Sequence, residues 1–196
     1  MASGWTCTIV NAEGDIQIEQ LDAAGDEWFA EGPEGDAIGS LDEVLRAVTA
    51  RPADPGWLTV VRDTIESDRG SANRSMLLVK RVTGIWFHAT FAENRASIRR
   101  HGLDYRRISG PGIAGSRTPE AAGVFLSCDI ESARWFARMG RRGPVDIWAA
   151  DLAGVWLIGD PGASGGGDET WMICPETIDA DRLVLLEKDI TDSWPA

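Results

Sequence analysis

The chain has 196 residues, with 31 acidic against 19 basic side chains and a formal net charge of −12. At 43% hydrophobic and 26% charged it is an ordinary globular chain, long enough for one full domain or one domain with a smaller companion. No apolar run approaches the roughly 20 residues of a membrane-spanning helix. The start MASGWTCTIV has neither the basic stretch nor the long apolar stretch of a secretory leader, so a cytoplasmic protein is expected. Cys7, Cys128 and Cys174 are odd in number and widely spaced, which supports neither a disulfide framework nor a zinc cluster, and no metal is expected. Global acidity argues against a dedicated duplex-DNA binder, because phosphate neutralisation needs clustered positive charge. The acidity is uneven, however. Residues 1–80 carry 15 acids and 6 bases, whereas 81–196 carry 16 and 13. Between Arg95 and Arg142 lie 10 arginines and only 4 acids. This basic island uses the planar fork that suits phosphates and carboxylates.

Residues 5–30 alternate apolar and polar in short runs (WTCTIV, DIQIEQL, EWFAE) and read as a β-meander. EGPEGDAIGS reads as a loop. Leu41, Val44, Leu45 and Val48 have helical spacing, and Ser40 with Glu43 forms a capping box ahead of them. After the Pro-rich RPADPG, residues 57–66 fit strand or helix, and a polar stretch places the domain boundary near 67–75. MLLVKRV and GIWFHAT read as strands. Thr90 and Glu93 suggest a second capping box, opening a helix that ends at Gly102 after His101, where a histidine suits the helix dipole. Residues 104–121 read as a long surface loop. GVFLS is a buried-strand pattern, Glu131–Met139 a helix, 145–158 strand, turn and strand, and TWMIC and LVLLEKDI the last strands. The class expected is α+β: a smaller acidic α+β lobe over 1–75, then a strand-rich domain over 76–196 with short helices.

Five features occur in order in the second part. They are His88-Ala89-Thr90 on a strand, a helix ending His101-Gly102-Leu103, the strand GVFLS, the helix start Ser132-Ala133-Arg134-Trp135, and Glu169 before TWMIC. As an ordered set they resemble the catalytic domain of ADP-ribosyltransferases of the poly(ADP-ribose) polymerase and diphtheria-toxin class, over about half of the chain. The resemblance implies a split β-sheet core with short helices and NAD as substrate. It implies that His88 and Thr90 face the cofactor, with His88 bonding a ribose, and that the backbone of Ala89 holds the nicotinamide carboxamide. Phe125 and Trp135 would sandwich the nicotinamide ring, and Ser132 would bond its carboxamide. Glu169 would be the catalytic carboxylate, stabilising positive charge at the anomeric carbon as nicotinamide leaves. Asp168 and Glu176 compete for that role.

The departures are Ala89 in place of Gly and Trp135 in place of Tyr. The Glu-x-Glu of arginine-specific toxins is absent, since 169–171 read Glu-Thr-Trp. RNA 2′-phosphotransferases are similar at FHAT, GVFLS with Asp129, Arg141-Arg142-Gly143-Pro144-Val145 and TWMICPE. That likeness would bring Arg141 or Arg142 to a phosphate of NAD or of an RNA end. Their N-terminal lobe is basic and carries Leu-Arg-His, where this chain has Leu45-Arg46-Ala47. The leading expectation is a mono-ADP-ribosyltransferase, toxin-like or modifying, whose acceptor is a nucleic acid, a nucleotide or a protein approached through the Arg95–Arg142 region. A phosphotransferase-like enzyme and a non-catalytic module binding NAD or ADP-ribose are the alternatives. The acidic lobe is a candidate intramolecular restraint.

Overall fold

The computed structural model describes residues 6–10, 15–21, 27–32, 35–48, 76–107, 112–113, 123–140, 143–160, 163 and 169–191. The fold is α+β, with mostly antiparallel strands and few, short helices. No helix among the described residues is long and apolar enough to cross a membrane.

Two compact units divide the chain, 1–81 with 156–168, and 82–155 with 169–196. A single cut near residue 75 does not describe this division. The strand read at MLLVKRV belongs with the first unit because it pairs in parallel with an N-terminal strand, and the segment after 155 returns to pair with it.

In the first unit the strands are β1 (Thr6–Val10), β2 (Ile16–Gln20), β3 (Trp28–Gly32), β4 (Gly35–Gly39), β5 (Met76–Arg81) and, from later in the chain, β9 (Trp156–Gly159). Their order is β9-β5-β1-β2-β3-β4. The expected meander is present, and the alternation in β2 buries Ile16 and Ile18 while exposing Gln17 and Glu19. EGPEGDAIGS, read as a loop, supplies β4. Its glycines and proline argue against a strand locally, yet antiparallel pairing of Phe29 with Ile38 and of Ala30 with Ala37 overrides them. Helix α1 (Leu41–Val48) starts as expected, the Ser40 N–H and Oγ both donating to Glu43 Oε2 at 2.9 and 2.7 Å. Those bonds hold the Glu43 carboxyl below its usual pKa. Leu41 and Val44 are buried in a core with Ile16, Ile18, Trp28 and Ala30. Residues 57–66, left open between strand and helix, lie outside the described residues.

The second unit holds β6 (Ile85–Phe91), β7 (Val124–Ser127), β8 (Val145–Asp151), β10 (Trp171–Cys174) and β11 (Leu183–Ile190). They are antiparallel in the order β11-β8-β6-β7-β10. Helix α2 spans Arg95–His101 and α3 spans Ile130–Ala137. Ala133 and Ala137 of α3 pack on Val145 and Ile147, with Phe87, Ala89 and Phe91 of β6 against the same cluster. The capping box expected at Thr90 and Glu93 does not form, because β6 runs on through Phe91 and leads into a short 3₁₀ turn at Ala92–Asn94. The Thr90 hydroxyl instead accepts from Asn94 Nδ2 at 3.0 Å.

The end of α2 is as expected, with Gly102 at φ +74°. Beyond it Leu103 and Ile178 exchange backbone hydrogen bonds of 2.8 and 3.1 Å. A Cβ on residue 102 would stand 2.1 Å from the Ile178 carbonyl oxygen. Gly102→Ala should therefore cost about 1–3 kcal/mol from strain at this left-handed position, measured by denaturant unfolding.

Candidate functional site

The sheet of the second unit changes character at one seam. β6 and β8 pair along seven rungs, from Ile85 with Asp151 to Phe91 with Val145. By contrast, β6 and β7 share one rung among the described residues, Phe87 with Ser127. Beyond Phe87 the two strands separate. His88, the next residue, bridges the gap, its Nδ1 lying 2.8 Å from the Phe125 carbonyl oxygen. A carbonyl only accepts, so Nδ1 carries the proton, and Nε2 of the neutral ring is left as an acceptor. Burial lowers the pKa of His88, only partly opposed by the bond to Phe125, so this neutral tautomer is favoured. Among the described residues Nε2 has no hydrogen-bond partner. Phe125 thus serves His88 through its main chain, a role that no side-chain pattern announces.

Phe87, Ser127 and Trp171 stand in one row across β6, β7 and β10. Ser127 is buried, and its hydroxyl donates towards the carbonyls of Phe87 (3.4 Å) and Asp129 (3.2 Å). Glu169 precedes this row by two residues on the approach to β10, whereas His88 follows it by one on β6, which runs the same way. At about 3.3 Å per residue and 4.8 Å per strand, the two backbones would be roughly 14 Å apart in a flat ladder. They flank the row, too far apart for direct contact, and strand alternation projects His88 from the face opposite Phe87. Glu169 is exposed, and the next residue, Thr170, accepts from the Cys128 N–H at 3.0 Å, which ties this turn to the end of β7.

Ser132 and Trp135 both have partners inside the protein. Asp129 caps α3, its carboxylate accepting from the Ser132 N–H at 2.8 Å and from the Ser132 Oγ at 2.7 Å. Those bonds hold Asp129 below the usual carboxylate pKa. The Ser132 hydroxyl has thus given its proton to the cap and can offer a ligand only an acceptor. Trp135 is 44% exposed, and its ring partner is Trp171, with centroids 6.0 Å apart and planes inclined at 53°. Phe136 meets Trp171 in a similar way, at 5.9 Å and 53°. A ring cannot slot between tilted planes this close, so Trp135 and Trp171 present an aromatic rim beside Glu169 rather than a sandwich. Trp171 was missed from sequence because TWMIC reads as an ordinary buried strand. Its position two residues after Glu169 was the available signal.

The arginine island is less free than its count suggests. Arg95 binds the fully buried Asp146 through both nitrogens, Nε to Oδ2 and Nη2 to Oδ1 at 2.7 Å each, and also reaches Asp189 at 2.6 Å. Arg134 is paired with Glu131 and Glu187. Arg107 meets Asp104 at 3.2 Å, and Arg106 lies over the Tyr105 ring. Arg99 and Arg100 are exposed on α2. Arg117, Arg141 and Arg142 lie outside the described residues, as do Asp168 and most of the 104–121 loop. Among the described residues no three His, Cys, Asp or Glu side chains are grouped to hold a metal ion. Burial pushes the Cys174 thiol up to about 11, which makes it a poor nucleophile.

No protein-family model matches the sequence, and a search of curated proteins finds no similar chain.

Proposed function

We propose that the second unit is an ADP-ribosyltransferase-like domain that takes NAD and transfers its ADP-ribose to a nucleic acid, nucleotide or protein, one unit per acceptor, releasing nicotinamide. The observation that carries this reading is the fixed imidazole of His88 at the split seam, with its Nε2 acceptor unpartnered among the described residues. A ribose hydroxyl donates to such an acceptor. The edge of β6 beyond Phe87 is released from pairing with β7, and there the backbone around Ala89 can meet a carboxamide by the bonds a neighbouring strand would make. Glu169, on the far side of the Phe87–Ser127–Trp171 row, supplies the fixed negative charge that favours a developing cation at the anomeric carbon. Arg99 and Arg100, exposed on α2, can attract a phosphate-bearing acceptor.

Incubation with labelled NAD and candidate RNA, DNA and protein acceptors tests the reading. Transfer of label with stoichiometric nicotinamide release is expected, and neither transfer nor release would overturn it. Because His88 binds through its neutral ring and its pKa is lowered, NAD affinity should stay level as pH falls from about 8 to about 6.5, weakening only below that. A decline beginning above pH 7 in a titration series would contradict the role of Nε2.

One observation favours a second reading, a module that binds NAD or ADP-ribose without turnover. The Ser132 hydroxyl and the Trp135 ring, both expected on the nicotinamide, are engaged by Asp129 and Trp171. Calorimetry showing saturable NAD binding, with no nicotinamide released, would select it.

A further inference from the structure

Trp148 lies on β8 directly opposite His88 on β6. Opposed residues of an antiparallel pair project from one face with Cβ atoms roughly 5 Å apart, so the indole and the imidazole are neighbours. The indole is 2% exposed, and among the described residues its Nε1 has no hydrogen-bond partner. Buried donors are nearly always partnered, because an unmade bond forfeits the solvation the group had in water. A phenylalanine would fill this part of the core without that cost. The imidazole beside it is half-buried and keeps an acceptor at Nε2 that no described residue occupies, open to solvent rather than sealed like the indole. One row therefore holds a buried, unpartnered donor and an open acceptor. A hydroxyl serves both, accepting from Nε1–H and donating to Nε2. A phosphate or carboxylate oxygen would serve only the indole, and an amide N–H only the imidazole.

We infer that Trp148 and His88 form a hydroxyl-recognising couple, occupied by a ribose hydroxyl of NAD. The inference rests on the NAD reading and adds Trp148 to it as a binding residue. A resident water has the same hydrogen-bonding chemistry, and the test separates the two. NAD is titrated into the full-length protein while the indole N–H resonance of Trp148 is followed, assigned by selective labelling and by its loss in Trp148→Phe. The expected result is a downfield shift of that resonance on binding. Trp148→Phe should bind NAD about 3- to 10-fold more weakly, the worth of one hydrogen bond, with its melting temperature unchanged or raised. An indole resonance that stays put while others respond, or a variant that binds NAD as tightly as the wild type, would overturn the couple and leave the NAD reading standing. NAD that perturbs no resonance would remove both. If Trp148→Phe does not fold, the wild-type indole resonance is assigned through its correlations to the sequentially assigned backbone of β8, and its shift alone decides.

Discussion

Glu169→Gln should slow nicotinamide release from NAD by about 10²- to 10³-fold and change NAD affinity by less than about threefold. The substitution keeps the shape and removes the negative charge, so it acts where positive charge develops and only weakly on the bound ground state. Steady-state release assays paired with calorimetry separate the two effects. Glu169 is exposed at the turn into β10, which makes a collapse of the fold an unconvincing explanation for lost activity. An unchanged rate would move the role to another carboxylate, with Asp168 and Glu176 the neighbours in the chain. A loss of binding equal to the loss of rate would make Glu169 a binding group instead.

The largest effect on stability should come from Asp146. Its side chain is fully buried on β8 and accepts from Arg95 twice and from the Asp189 N–H at 3.0 Å. This joins β8, α2 and the end of β11, where Asp189 takes the left-handed φ of 57°. Burial pushes the Asp146 carboxyl up, but the Arg95 and Asp189 bonds outweigh it and the net pKa is lowered. Asp146→Ala should cost about 3 kcal/mol, because it removes two of the three carboxylate bonds of Arg95 and leaves the Asp189 N–H without its acceptor. Denaturant unfolding measures this, and a loss below about 1 kcal/mol would mean that water replaces the carboxylate at little cost. A carboxylate whose folded pKa lies below its unfolded value adds stability above the unfolded value. It loses that stability as pH falls through the folded one. The difference between wild type and Asp146→Ala should therefore be constant near neutrality and shrink as pH drops below about 4.

Signals that act within a few residues were legible in the sequence. The Ser40–Glu43 box, the glycine ending α2 and the period-two burial of β2 all depend on near neighbours, and each is present. Where a distant partner decides, the sequence misled. Thr90 and Glu93 have the spacing of a capping box, but pairing with β8 carries β6 past Thr90 to Phe91. Gly35–Gly39 looks like a loop and is recruited into a strand by β3.

The site follows the same rule. His88 stood out through its motif, but the fixing of its tautomer by a carbonyl 37 positions away did not. Ser132 and Trp135 also stood out, while the groups that engage them, Asp129 and Trp171, were visible only as a neighbouring acid and a strand residue. Asp146 was hidden for a different reason. It sits within VDIWAAD, where the apolar run gives no hint that a carboxylate is buried against an arginine 51 positions earlier.

The central claim is that the split seam of the second unit is an NAD site organised by His88 and Glu169. The most direct test is a crystal structure of the full chain with a non-hydrolysable NAD analogue. A ribose hydroxyl should lie within hydrogen-bond distance, about 2.7–3.0 Å, of His88 Nε2. The nicotinamide end should lie towards the edge of β6 beyond Phe87, with the Glu169 carboxylate beside its ribose. An analogue bound elsewhere on the protein, or at the seam without a contact to His88 Nε2, would contradict the account.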